Sequence, residues 1–489
     1  MASVFRPLSP ERLAVLLGEE DAALGQPGAW LRRVRLASQM SVPAIVAQIS
    51  SIVMQYIDAA MVGSLGAQAS AAIGLVSTTI WLFGGLCSAI VTGFAVQVAH
   101  RVGAGNLSEA RSVFLGATGA AMLASLMLTA IGVAVSGILP LWLGGGEDIC
   151  ASASVYFLIF SLSLPFIMFF QLGVHMLRCS GDLLTPSLVS VAMCAMDVAL
   201  NALLIFPSHE LALGDLHLWI PGAGLGVVGA AWGTSLAECL AVLLLFRHIL
   251  LRSPYFALCK VRVPHKISNG HWLPSRHSLS RAMQIGLPIG MERILMCGAQ
   301  IATTVIVAPL GTVALAANSF GITIESLCYM PGYGISSAAT TLVGQSLGGG
   351  RRRLARSFAR ITVGMGMLAM TFMGVLMYVF SPLLMGTMTS DAAVQALAVR
   401  ILRIEAFAEP GFAAAIVAYG VFVGAGDTRM PCTFNLLTIW CVRITLSLLL
   451  VGRYGLIGVW WAMAVELCIR GIIFLVRLFR ERWLDAAEV

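Results

Sequence analysis

The stretch "SGDLLTP" (Ser180–Pro186) returns in altered form as "AGDTRMP" (Ala425–Pro431), 245 residues further along the chain. The same offset carries Pro43 onto Pro288, Gln55 onto Gln300, Leu65 and Gly66 onto Leu310 and Gly311, and Gly103, Ala110 and Arg111 onto Gly348, Ala355 and Arg356. One ungapped offset sustained over about 140 residues marks a duplicated unit. Within both versions a proline suits the first turn of a helix, and a polar residue just before it can cap free N–H groups. Asp182 and Asp427 are therefore expected to be helix caps.

What is duplicated follows from composition. The chain has 489 residues, of which 58% are hydrophobic and 11% charged, with a mean hydropathy of +0.90. That leaves too little polar material to cover a soluble globule, so the chain reads as a membrane protein. Fifty glycines suit closely packed helices in lipid, and the short alternating segments of a membrane β-barrel are not seen. The first 36 residues contain Glu11, Glu19, Glu20 and Asp21 and no apolar core, so they read as a tail and not a signal peptide. Eleven scattered cysteines without a CxxC pair give neither a disulfide framework nor a metal site.

Apolar segments able to cross about 30 Å of hydrocarbon lie near 41–62, 71–98, 112–143, 153–177, 185–207 and 223–246. A second six lie near 282–309, 313–345, 361–387, 394–424, 431–451 and 457–478. Of the 30 Lys and Arg, three (Arg293, Arg443, Arg470) fall inside spans and three (Arg400, Arg403, Arg453) on one side; the other 24 lie opposite. This asymmetry puts both termini in the cytoplasm of a multi-pass protein of the cell (inner) membrane. The net charge of +7 then reflects basic loops facing anionic lipid, and nucleic acid is not an expected partner.

The expected fold is all-α, with twelve transmembrane helices in two parallel six-helix lobes around a central cavity, because an even number of crossings gives both copies the same orientation. Residues 1–36 form a cytoplasmic tail, 37–250 the amino-terminal lobe, 251–280 a cytoplasmic linker, 281–480 the carboxy-terminal lobe and 481–489 a second tail.

Polar residues inside the spans point to function. Gln48, Ser51, Gln55 and Asp58 are spaced by three, four and three and share one face of the first helix, which lipid would not tolerate. Glu292, Gln300 and Thr303 draw a similar stripe on the seventh helix, with Thr303 where the first has Asp58. Asp197 and Asn201 lie one turn apart on the fifth helix, and Thr234 stands at compatible depth on the sixth. These groups can together hold a proton on a buried carboxyl or a sodium ion through several oxygens. Snorkelling of Asp58 to the interface and helix–helix bonding by Asp197 are the plainer alternatives.

Of the other acids at depth, Glu466 has Arg470 one turn later as an ion-pair partner, and Glu409 is a candidate partner for Arg443. Glu292 and Glu325 have no obvious local partner and are candidates, with Gln48, Gln55 and Gln300, for a substrate cavity. Pro331 and Gly332, with Pro165 and Pro410, mark places where helices can bend. The GK[ST] of a phosphate-cradling loop is missing, as are HExxH spacing and a nucleophile elbow, so the chain is not expected to be an enzyme.

With these features the chain resembles the MATE (multidrug and toxic compound extrusion) family of the MOP flippase superfamily. The residues that carry the resemblance are "DAAMVGSLG" (Asp58–Gly66), "GDLLTP", "GAAWGT" (Gly229–Thr234), "YMPGYGISSAATTLVGQSLGGG" (Tyr329–Gly350) and "GAGDTRMP" (Gly424–Pro431). The resemblance implies cation-coupling roles for Asp58, Asp197, Asn201 and Thr234, and a cavity for organic cations. One departure is that many relatives carry Asn then Asp on the fifth helix, whereas this chain reads Asp197 then Asn201. The expected function is a monomeric secondary antiporter exporting amphipathic or cationic compounds in exchange for H+ or Na+, with no cofactor. A flippase for lipid-linked precursors and a channel are the rival readings.

Overall fold

Segments this long and apolar can satisfy their backbone in lipid only as helices. The computed structural model describes residues 10–213, 216–253, 256 and 273–488. A short helix α1 (Pro10–Ala22) precedes α2 (Ala29–Gly63), α3 (Ala67–Gly103), α4 (Leu107–Ser136), α5 (Leu139–Trp142), α6 (Glu147–Ser180) and α7 (Leu184–Ile205). An antiparallel hairpin of β1 (Pro207–Leu213) and β2 (Leu216–Ala223) leads into α8 (Gly226–Leu251). The second half contains α9 (Arg276–Val307), α10 (Thr312–Gly348), α11 (Arg352–Met388), α12 (Ala392–Glu405), α13 (Glu409–Ala425), α14 (Arg429–Leu437) and α15 (Thr445–Arg480). A π-helical turn, Thr438–Ile444, joins α14 to α15.

Ten segments are long and apolar enough to cross a membrane. One of them, Arg429–Arg480, has 52 residues, about 78 Å of helix at 1.5 Å per residue. Its backbone breaks at Gly455 (φ 58, ψ −138), so it makes two crossings. A further crossing is the bent pair α12 and α13, at 58° to each other. Splitting the one and adding the other gives twelve among the described residues.

The segments differ from expectation in four places. The third span stops at Ser136, because Pro140 starts the separate turn α5. The tenth is broken between Glu405 and Glu409, just ahead of Pro410, where a proline cannot extend the preceding helix. By contrast α10 runs unbroken through Pro331 and Gly332. A Cβ on Gly332 would sit 2.5 Å from Met370 Sδ, so this glycine admits a neighbouring helix. The expected tails are also structured: Leu13 and Leu17 of α1, together with Trp483 and Leu484, are buried against Leu342, Leu347 and Phe358. Of the expected linker, residues 254–255 and 257–272 lie outside the described residues.

Helices α2–α8 pack on one another, as do α9–α15, and the two lobes meet through α2 on α10 and α3 on α9. Their contacts cluster at the end that carries α1 and the carboxy-terminal segment. There Gln97 donates to Ser278 O and accepts from Ser278 Oγ, both at 3.0 Å, and Gln345 donates to Cys179 O at 2.9 Å. Thr341 Oγ1 donates to Arg178 O at 3.0 Å. Glycines make the approach possible: a Cβ on Gly103 would lie 2.0 Å from Gln345 O, and one on Gly348 2.0 Å from His100 O. In the other half the lobes share a bond from Tyr56 Oη to Thr323 O at 2.5 Å, while Gln55 and Gln300 are exposed. The lobes are thus closed at the terminus-bearing end.

Candidate functional site

The i, i+4 spacing of Asp197 and Asn201 places both on the face of α7 that meets α2 and α8. Asn201 Nδ2 donates to Asp58 Oδ1 at 2.9 Å and to Asp197 Oδ2 at 3.2 Å, so one amide ties the two carboxylates together. Asp197 and Asn201 are each only 1% exposed, whereas Asp58 is half-buried. Thr234 of α8 stands beside Asp197, so all four residues expected at this place come together. The geometry answers the snorkelling alternative, since Asp58 points inward onto α7. No Lys, Arg or His is paired with any of the four among the described residues, and Asp197 Oδ1 and Asn201 Oδ1 are buried without a partner.

The motif "GAAWGT" has a structural reason. A Cβ on Gly233 would lie 2.0 Å from Asn201 Oδ1, and one on Gly229 2.4 Å from Leu204 O. Two glycines one turn apart therefore let α8 close on α7, and Gly233 leaves room for the amide that joins the carboxylates. Tyr156 of α6 lies in electrostatic reach of Asp58, Asp197 and Glu238. Neither Tyr156 nor Gly233 stood out in the sequence; the signal was Gly233 next to Thr234 in a motif read only for its family likeness.

The remaining cavity candidates separate. Gln55 and Gln300 are exposed and Gln48 is half-buried. Glu292 is not partnerless as expected: Tyr419 Oη donates to its Oε2 at 2.8 Å and Asn435 Nδ2 to its Oε1 at 2.6 Å, fastening α9 to α13 and α14. Glu325 is buried inside the carboxy-terminal lobe, in electrostatic reach of Arg443 and Arg470.

That lobe has a polar core of its own. Glu466 Oε2 accepts from Arg443 Nη2 and from Arg470 Nη2, both at 2.9 Å. The expected pairing of Arg443 with Glu409 is absent. The π-helical turn 438–444 winds wider than an α-helix and turns Arg443 toward α15, where Glu466 is fully buried. Glu405 and Glu409 are also fully buried, and all four of their oxygens lack a hydrogen-bond partner. Glu409 lies in the first turn of α13, where free N–H groups favour negative charge. The repeated loops diverge as well. Asp182 Oδ1 caps α7 by accepting from Thr185 N at 2.9 Å, whereas Asp427 does not cap α14 and pairs with Arg477.

Twelve crossings in two lobes with a carboxylate site in one of them can be compared with known proteins. The MatE family pattern matches residues 43–203 and again 288–449, two stretches that begin 245 residues apart like the internal repeat. The chain belongs to the MatE family. MatE proteins are transporters and not enzymes. Among curated relatives, a probable multidrug resistance protein NorM of Thermotoga maritima is 25% identical over 91% of this chain and 92% of its own length. One of Pseudomonas aeruginosa is 27% identical over 86% and 84%. A MOP superfamily transporter of Pyrococcus furiosus has the same fold, with a TM-score of 0.82 at 17% identity, over 94% of this chain and 97% of that one.

Proposed function

We propose that this MatE protein exports amphipathic or cationic organic compounds and takes up H+ or Na+ in exchange, as a monomer in the inner membrane with both termini in the cytoplasm. The observation that carries this reading is the Asp58–Asn201–Asp197 cluster, two carboxylates bonded to one amide with no basic side chain paired to either among the described residues. In hydrocarbon such carboxylates must be matched by a mobile cation. The multidrug resistance names of the relatives and the acidic in-span charge support organic cations as cargo, and a lipid pyrophosphate would call for basic groups here. Closure at the terminus-bearing end leaves release on the opposite side, where the coupling ion enters.

In this scheme an ion arriving at Asp58 and its neighbours displaces the bound organic cation, and the lobes then rock with the ion aboard. The test is efflux of ethidium from proteoliposomes under a proton gradient or a sodium gradient, imposed separately. One gradient should drive efflux, and Asp58→Asn should abolish the driven component while the protein still inserts. Driven efflux that survives Asp58→Asn at the wild-type rate rejects the coupling site.

A further inference from the structure

Of the three arginines inside the spans, Arg443 and Arg470 are taken by Glu466. The third, Arg293, stands midway along α9, about 26 Å from Arg276 at 1.5 Å rise per residue. Helical phase decides which way it faces. Met283, Leu287, Ile294, Ile301 and Val305 form an exposed apolar stripe that suits lipid. Arg293 falls instead in phase with Ala282, Gly286 and Ile289, which are buried where α9 meets α3 of the other lobe. A Cβ on Gly286 would lie 2.7 Å from Ala89 O, and one on Gly85 would lie 3.2 Å from both Cγ and Cδ of Arg293. The arginine stem thus crosses onto a glycine of the amino-terminal lobe. Arg293 is nonetheless exposed, as is Gln300 two turns further along the same face. The seam between α3 and α9 therefore opens at Arg293, and its guanidinium faces the gap between the lobes.

Tyr333 of α10, Tyr419 of α13 and Glu292 lie within electrostatic reach of that guanidinium, but among the described residues it makes no hydrogen bond or ion pair. Glu292 turns its two oxygens to Tyr419 at 2.8 Å and Asn435 at 2.6 Å, so it eases the cost of the nearby positive charge without filling the N–H fork. Tyr333 is 36% exposed and meets Tyr329 edge to face, with ring centroids 5.7 Å apart, and Tyr329 meets Phe412 at 5.4 Å. A planar fork of donors matches the two oxygens of a carboxylate, and the rings beside it suit an aromatic body attached to that carboxylate.

We infer that Arg293 recognises a carboxylate on the cargo, so that the exported compounds include aromatic zwitterions bearing a carboxylate beside their positive charge. The inference rests on the proposed exchange and deepens it, naming a cargo class that acidic residues alone would not select. Arg293 is then the residue that sets this specificity, in the opposite lobe from the acidic cluster.

The probes are tetramethylrhodamine, which bears a free carboxylate, and its methyl ester, the same cationic dye without it. Binding of each to the full chain in detergent is read by fluorescence anisotropy. Arg293→Gln should weaken binding of the free acid about tenfold, as for the loss of a charge-assisted hydrogen-bonded pair, and leave the ester bound as tightly as before or more so. Arg293→Lys keeps the charge but not the fork, so it should fall between wild type and Arg293→Gln, and it carries the test if the glutamine variant does not fold. A ratio of the two affinities that stays as in wild type overturns the inference, and so does a wild type that does not bind the free acid. If Arg293 serves only as a fixed countercharge to Glu292, both affinities move together and the ratio is unchanged. Efflux of the ester from proteoliposomes under a proton or a sodium gradient reads the exchange separately. An ester that neither gradient drives, with the carboxylate preference intact, rejects the antiport and leaves the role of Arg293 standing.

Discussion

In the amino-terminal lobe Asp58 and Asp197 are held by the Asn201 amide, and among the described residues no arginine is paired with either, whereas the carboxy-terminal lobe sets Arg443 and Arg470 among Glu325, Glu405, Glu409 and Glu466. Both lobes descend from one duplicated unit, so the difference arose after duplication. A buried acid held by fixed arginines is stabilised by charges that never leave. One held only by amides and hydroxyls is free to take up and release a cation, which is the role proposed for the amino-terminal cluster. The carboxy-terminal core still has two more carboxylates than guanidiniums, and it balances part of this by placing Glu409 on a helix amino terminus.

The comparison is broken most directly by removing a fixed charge. Arg443→Met takes away one of the two donors to Glu466 Oε2 and leaves four buried carboxylates facing one arginine. Breaking such a pair costs about 3–5 kcal/mol, which should appear as a large drop in the thermal unfolding midpoint in detergent. Asp197→Asn in the same assay should leave the midpoint unchanged or raise it, because it deletes a charge that no side chain balances. If both substitutions lower the midpoint alike, the lobes do not differ in the way described.

A smaller effect tests whether geometry, as well as charge, sets the amino-terminal site. Gly233→Ala places a methyl 2.0 Å from Asn201 Oδ1 and must push that amide off the two carboxylates. The overpacking is expected to cost about 1–3 kcal/mol, and gradient-driven efflux should fall more than stability does. Gly364→Ala on α11, where a new Cβ meets nothing within 4 Å, should leave efflux unaltered. Equal efflux in the two variants would show that the Asn201 bridge is not needed.

The sequence carried the duplication, the twelve crossings and the amino-terminal cluster because each is written in local spacing: a constant offset, apolar length, and pairs one helical turn apart. It did not carry features made by contact between distant segments. Arg443 finds Glu466 because a π-helical turn shifts its direction, and nothing in "TIWCVRI" announces that turn. Glu292 lacked a partner along its own helix, since its two donors, Tyr419 and Asn435, come from elements more than a hundred residues away. The hairpin 207–223 was passed over as a loop between spans.

Glu292 gives the finest test, because it is a carboxy-terminal acid held by neutral donors like those of the other lobe, yet it occupies a seam between helices. Tyr419→Phe removes the phenolic donor at 2.8 Å from Oε2 and leaves Asn435 at 2.6 Å on Oε1. The loss is one bond of two, so stability should fall by about 1 kcal/mol. If fastening α9 to α13 and α14 is its whole role, the number of charges moved per ethidium should stay as in wild type, and only the unfolding midpoint should shift. A changed charge count in Tyr419→Phe would place Glu292 among the exchanging carboxylates. The asymmetry between the lobes would then lie in the number of mobile ions each holds, and not in whether it holds any.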